Sequence, residues 1–241
     1  MFSTPAGVPS TGMLNTRIVC GTRLSEQAFH DQSALGRCLK VAYGDLPSIE
    51  LVLFPGGNPG LPAVYNRAIR DAARSPAILL FIHDDVHLLD LFWLDRLHLA
   101  LEQFQIVGIV GSRQCRPRQP SWAYKDEWFT PEDRENLSGL IAHGAAFPAR
   151  VDRLGMLGPC KLLDGVFLAM RSATLIDNDL YFDEAFDFNF WDLDFCRRAD
   201  AKGITMGTAP ISILHESIGR LRTEAWSDAF QQYLAKWDGA P

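Results

Sequence analysis

Apolar positions fall into blocks along the first half of the chain. Short runs of β-branched and apolar residues, from Arg17 to Gly21, Ile49 to Phe54, Ile78 to Ile82 and Ile106 to Gly111, alternate with longer stretches that carry apolar residues at helical spacing. Between the first two runs, Ser25 to Lys40 places Phe29, Leu35 and Leu39 at partly helical intervals, with Ser25 set to cap the start. Gly60-Leu61-Pro62 then puts a proline near the first position of a helix whose Val64, Ala68, Ile69 and Ala72 share one face. After the third run, Asp90 is a candidate cap for a helix bearing Trp93, Leu94, Leu97, Leu101 and Phe104. The pattern predicts an α/β fold with a mostly parallel sheet flanked by helices.

The periodicity lapses from Gln114 to Arg153. Pro117, Pro120, Pro131 and Pro148, with Trp122, Tyr124, Trp128 and Phe129, read as an irregular insertion whose aromatic residues pack or bind. Regular patterning then returns. Leu162 to Met170 reads as a strand, Asp192 to Lys202 as a helix closed by Gly203, and Ile204 to Thr208 and Ile211 to Leu214 as short strands. The last thirty or so residues form an amphipathic segment with Trp226, Phe230, Tyr233 and Trp237, read as a core-facing helix ahead of a peripheral membrane contact.

Composition narrows the classes of function. With 241 residues and 47% hydrophobic content the chain supports a sizeable core, which excludes disorder for its bulk. A formal charge of −6 offers no basic stripe for a nucleic-acid backbone. Cys20, Cys38, Cys115, Cys160 and Cys196 are widely spaced and odd in number, as expected of reduced residues in a cytoplasmic protein. Met1 to Asn15 is rich in Ser, Thr, Pro and Gly and reads as a loose tail without a signal peptide. Ala77 to Ile82, the most apolar stretch, is far short of the roughly 20 residues that span a bilayer.

Three constellations carry chemistry. His83-Asp84-Asp85-Val86 puts adjacent carboxylates past the end of an apolar strand, where ligands bind in open α/β sheets. Repelling carboxylates favour a shared cation, and oxygen ligands suit Mg²⁺ or Mn²⁺; a loop that caps the next helix is an equal reading of these residues alone. Phe190-Trp191-Asp192-Leu193-Asp194 places two carboxylates at a helix start, where one serves as the N-cap, the simpler account for Asp194, and the other is a candidate general base among the aromatic walls of Phe188, Phe190 and Trp191. His215, after a short apolar run, is a structural histidine or, beside a dicarboxylate, a metal ligand. Gly219-Arg220-Leu221-Arg222 after it is a solvated loop or a basic flap over a diphosphate.

In order and spacing these residues resemble the family 2 glycosyltransferases of the GT-A fold. The resemblance runs over about residues 17 to 237 and rests on Thr22-Arg23, Asn58-Pro59-Gly60-Leu61, Tyr65-Asn66-Arg67-Ala68-Ile69, His83-Asp84-Asp85-Val86, Asp164-Gly165-Val166-Phe167, Phe182-Asp183-Glu184, Asp192-x-Asp194-x-x-Arg197 with Gly203, and His215. The His-Asp-Asp-Val form with Lys236-Trp237 looks like a bacterial subgroup of polysaccharide and antibiotic-sugar pathways. The resemblance implies a metal-dependent hexosyl- or deoxyhexosyltransferase taking a nucleotide diphosphate sugar and a saccharide or glycoconjugate acceptor, inverting in a single displacement, in the cytoplasm or at the inner membrane surface. It implies one domain from residue 17 onward, with a donor half to about 112 and an acceptor half after it. It assigns Asp84 to the donor ribose, Asp85 and His215 to the metal, Asp192 to the base, Thr22, Arg23 and Asn66 to the nucleotide pocket, and Asp164 to the transferred sugar or acceptor, with Arg220 or Arg222 on the phosphates. Trp191 stands where most members carry an acidic residue, which keeps Asp194 in view as the base, and Phe54-Pro55-Gly56-Gly57 replaces the usual acidic turn beside the nucleotide base. A sugar nucleotidyltransferase and a non-catalytic carbohydrate-binding domain are the competing readings. Gly21-Thr22-Arg23-Leu24 lacks the glycine- and lysine-rich loop of the former.

Overall fold

The structure, a computed structural model, describes residues 14–42, 48–57, 59–146, 148–217 and 221–238. Most of the expected tail, residues 1–13, lies outside them, as do Asn58, Gly219 and Arg220. The chain runs through β1 (Thr16–Gly21), α1 (Glu26–Gln32), α2 (Ala34–Ala42), β2 (Ile49–Phe54), α3 (Leu61–Ala72), β3 (Ile78–Ile82), β4 (Val86–Leu88), α4 (Trp93–Leu101), β5 (Ile106–Gly108) and β6 (Val110–Ser112). It continues through β7 (Leu137–His143), β8 (Arg150–Gly155), β9 (Pro159–Cys160), β10 (Leu162–Leu163), β11 (Phe167–Arg171), α5 (Ser172–Asp177), α6 (Trp191–Ala201), β12 (Met206–Thr208), β13 (Ile213–His215) and α7 (Glu224–Trp237).

The main sheet has the order β2-β1-β3-β11-β5-β12-β9. Its strands β2, β1 and β3 pair in parallel, as do β5 and β12, while β11 enters antiparallel between β3 and β5. Apolar side chains alternate between its two faces. Val19, Leu79 and Phe81 meet α3, α6 and α7, whereas Ile18, Leu80 and Ile82 meet α1, α2 and α4. A second sheet, β10-β6-β7-β13-β4 with β8 on β7, sits beside it.

Local chemistry explains where the expected elements divide. The helix expected from Ser25 to Lys40 starts under the Ser25 cap, which accepts from Ala28 N–H at 3.2 Å, but it breaks at Ser33. The Ser33 hydroxyl donates to the Phe29 carbonyl at 2.7 Å and accepts from Gly36 N–H at 2.9 Å, closing one helix and opening the next. A side chain at Gly36 would come within 2.1 Å of that carbonyl. The run from Ile106 to Gly111 divides at Ile109, where the chain leaves the main sheet for the second one. The strand expected from Leu162 to Met170 divides likewise, β10 pairing with β6 and β11 with β3, with Asp164-Gly165-Val166 as a largely buried turn between them.

The insertion is irregular only to Asn136; from Leu137 it is the β7–β8 hairpin. Its irregular part is built around Glu132, buried and gripped by Arg116 through Nε at 2.9 Å and Nη2 at 3.0 Å. Burial alone raises this carboxyl, but the Arg116 fork and the Asn136 amide outweigh it and hold it near about 2. Helix α7 is capped by Thr223 and buries Trp226, Phe230 and Tyr233, so its aromatic face belongs to the core. Among the described residues no helix is long and apolar enough to cross a membrane. The five cysteines are unpaired.

Candidate functional site

The carboxyl ends of β1 and β3 bring the first constellation together. Thr22 follows β1, and its hydroxyl donates to Oδ2 of Asp84. Asp85 turns the other way, toward His215 at the end of β13, with His215 Nε2 at 3.2 Å from its Oδ1. Pairing of β13 with β4, His215 opposite Val86, sets this approach, and Glu216 N–H closes it on the Asp85 carbonyl at 2.9 Å. Neighbouring carboxylates thus face different partners, which relieves their repulsion. Burial opposes ionisation of Asp85, yet the His215 hydrogen bond and charge prevail and lower it to about 2. Burial likewise pulls His215 down, and the Asp85 hydrogen bond and charge raise it above its ordinary value.

His83 completes this group. Its Nε2 is buried without a hydrogen-bond partner among the described residues, and burial lowers its proton affinity, leaving a neutral imidazole with an uncommitted nitrogen. Ligand atoms of His83, Asp85 and His215 all lie within 4.8 Å of one another. Two imidazoles and a carboxylate are a donor set suited to Mn²⁺ or a similar divalent ion, so the residues present fit the metal that the sequence leads one to expect. Sequence reading had only Asp85 and His215. The Asp84-Asp85 turn that follows β3 brings the His83 and Asp85 side chains together, and hydropathy spacing does not show that turn.

The second constellation forms where α6 meets the 164–166 turn. Phe190 precedes the helix in the left-handed region, at φ 65°, and no side chain caps it, so neither Asp192 nor Asp194 is the N-cap expected from sequence. Asp194 is fully buried and spent on structure, accepting from Arg198 Nε at 2.8 Å, Lys236 Nζ at 2.6 Å and Trp237 Nε1 at 2.9 Å. Asp192 faces the turn instead, its Oδ2 accepting from Gly165 N–H at 2.9 Å. A side chain on Gly165 would fall 2.5 Å from the Trp191 ring, so only glycine lets the helix come this close. Burial, reinforced by the charge of Asp164, pushes Asp192 up to about 7 against the hydrogen bonds from Gly165 and its own helix. Asp164 accepts from Val166 N–H at 2.8 Å and from the Trp122 indole at 2.7 Å.

Several expected residues sit elsewhere. Asn66 does not line an open pocket: it is buried, and its amide clamps Phe182 by accepting from N–H and donating to C=O, both at 2.8 Å. Trp191 and Phe190 are core residues packed on Tyr65 and Phe230 rather than walls of a cleft. Phe188 alone of the three is exposed, at 54%, with its ring 6.1 Å from that of His83. Arg23 is exposed beside Gly57. Arg222 stands over the Phe129 ring at 4.0 Å, and Arg220 lies outside the described residues.

No protein-family model matches the chain, and no curated protein matches it in sequence. Solved structures do match in fold. The mannosyltransferase PcManGT from Pyrobaculum calidifontis, in complex with GDP-Man and Mn²⁺, superposes with a TM-score of 0.53 at 14% identity, over 96% of this chain and 66% of its own. GalNAc-T7, solved with UDP, GalNAc and Mn²⁺, does so with a TM-score of 0.51 at 10% identity, over 95% of this chain and 49% of its own. The chain thus spans about two thirds of the first and half of the second. At such identities the likeness is one of architecture, and the architecture is that of the GT-A glycosyltransferases.

Proposed function

We propose that the chain is a nucleotide-sugar-dependent glycosyltransferase that moves a sugar from a nucleoside diphosphate to an acceptor hydroxyl with inversion, in glycan biosynthesis. The observation that carries this reading is the placement of a His83-Asp85-His215 donor set and a high-affinity carboxyl, Asp192, in one GT-A-type fold. A divalent ion bound by the three ligands supplies the positive charge that a departing diphosphate needs and that a net-acidic protein otherwise lacks. Asp84, whose carboxylate accepts from the Thr22 hydroxyl, is assigned to the donor ribose. Arg23 and Arg222 are the described cations assigned to the nucleotide; Arg220, the third, lies outside the described residues.

Asp192 takes the proton of the acceptor hydroxyl as that oxygen attacks the anomeric carbon. The bond to the diphosphate breaks on the opposite face, and its electron pair leaves with the diphosphate. A base whose affinity lies near neutrality suits the step. Asp194, with its oxygens already bonded, is not available for it.

Thermal unfolding with UDP, GDP, CDP or dTDP, each with and without Mn²⁺, tests the reading. One diphosphate should stabilise the chain only when metal is present. Asp192→Asn should keep that stabilisation and lose transfer by about 10²–10⁴-fold. Pyrophosphate release from a nucleoside triphosphate and a sugar phosphate would instead indicate a nucleotidyltransferase, and no response to any nucleotide a binding domain.

A further inference from the structure

Trp122 belongs to the irregular segment 114–136, yet its indole N–H reaches Oδ2 of Asp164 at 2.7 Å. The other oxygen of Asp164 holds Val166 N–H, and the intervening Gly165 N–H goes to Asp192. Asp164 and Asp192 therefore hold the N–H groups of two successive peptide units on either side of Gly165. With one donor fixed on each oxygen, the Asp164 carboxylate cannot rotate, and its remaining lone pairs stay free for a hydroxyl. Packing restrains the indole as well, because Trp122 is half-buried against the apolar clusters on both faces of the main sheet. Its segment is braced by the Arg116–Glu132 fork and tied to α7 through Arg118 on Asp238 and Phe129 on Trp226.

We propose that Trp122 is a positioning residue for the transfer, acting through Asp164: it holds that carboxylate beside Asp192 so that one orients the acceptor hydroxyl and the other takes its proton. This assignment rests on the glycosyltransferase reading above and extends it, because it makes the segment 114–136 part of the chemistry. A hydrogen bond to a charged group is about twice as strong as a neutral one. Misplacing a reacting group by about 1 Å costs on the order of 10²-fold in rate.

A double-mutant cycle on the full chain tests it. With Mn²⁺ present, nucleoside diphosphate release is followed from GDP-mannose and UDP-glucose, with water and methyl hexosides as acceptor probes. Trp122→Phe keeps the ring and removes the N–H; kcat should fall about 10-fold or more while nucleoside diphosphate affinity stays within about twofold. Asp164→Ala should lose at least as much, and Trp122→Phe should add nothing in that background. Unchanged kcat in Trp122→Phe, independent losses that multiply in the double variant, or loss of nucleotide affinity would each overturn the assignment. If Trp122→Phe does not fold, ¹⁵N-labelled wild type serves: an indole N–H slow to exchange and moved by Asp164→Ala supports the assignment, and one that exchanges freely and ignores that change overturns it. A wild-type chain that binds no nucleoside diphosphate with Mn²⁺ fails earlier, taking the glycosyltransferase reading and this assignment with it.

Discussion

Asp192 and Asp194 are two residues apart and chemically identical, and the fold gives them opposite tasks. Sequence favoured Asp192 as the base and kept Asp194 in view, but what ties Asp194 down, Lys236 and Trp237, lies more than forty positions away. His83 was equally visible as a letter and invisible as a ligand until its unpartnered nitrogen was seen beside Asp85. Asn66 went the other way, since its motif position gave no sign of the Phe182 clamp. The raised affinity of Asp192 has a thermodynamic counterpart. The folded state holds this proton more tightly than the unfolded chain, so the stability it contributes is complete below the ordinary carboxylate range and is lost as pH rises toward about 7. Asp192→Asn should therefore gain stability relative to wild type as pH rises from 4 to 8. Melting curves at the two pH values check this, and a constant difference would contradict it.

At the scale of elements, the legible parts were those with long, uniform patterns. β3, buried along its whole length, and α3, with proline in its first turn, stand where the sequence put them. Two of the errors share a cause: the β5–β6 and β10–β11 runs change sheets midway, and hydropathy does not record which sheet a residue joins. One of these changes creates the 164–166 turn on which Asp192 docks. Gly165→Ala should accordingly force α6 away from the turn, costing about 1–3 kcal/mol and most of the transfer activity. Denaturant unfolding and nucleoside diphosphate release measure the two losses. The seam between α6 and α7 makes a separate prediction. Lys236 bridges Asp183 and Asp194 at 2.6 Å each, so Lys236→Met should destabilise by about 2–3 kcal/mol, leaving Arg198 and Trp237 to hold part of the buried charge. A change below about 0.5 kcal/mol would place the bridge among ordinary surface pairs.

For the whole molecule, the charge of −6 and the acidic centres at the sheet's carboxyl end make a bound cation the proposed partner of a diphosphate. Chelation with EDTA should leave the melting temperature of the nucleotide-free chain nearly unchanged and abolish stabilisation by the nucleoside diphosphate, with Mn²⁺ restoring it. Stabilisation that survives chelation would remove the metal from the reading. The architecture also explains one backbone oddity. Phe190 enters α6 in a conformation that costs a non-glycine residue roughly 1–2 kcal/mol. Its ring is stacked on Phe230 and Tyr233 of α7, and that stack imposes the turn. The start of the helix that carries Asp192 is thus not autonomous. Excised as a peptide, residues 186–202 should show no ordered helix by circular dichroism, since the instruction to turn is written in another part of the chain.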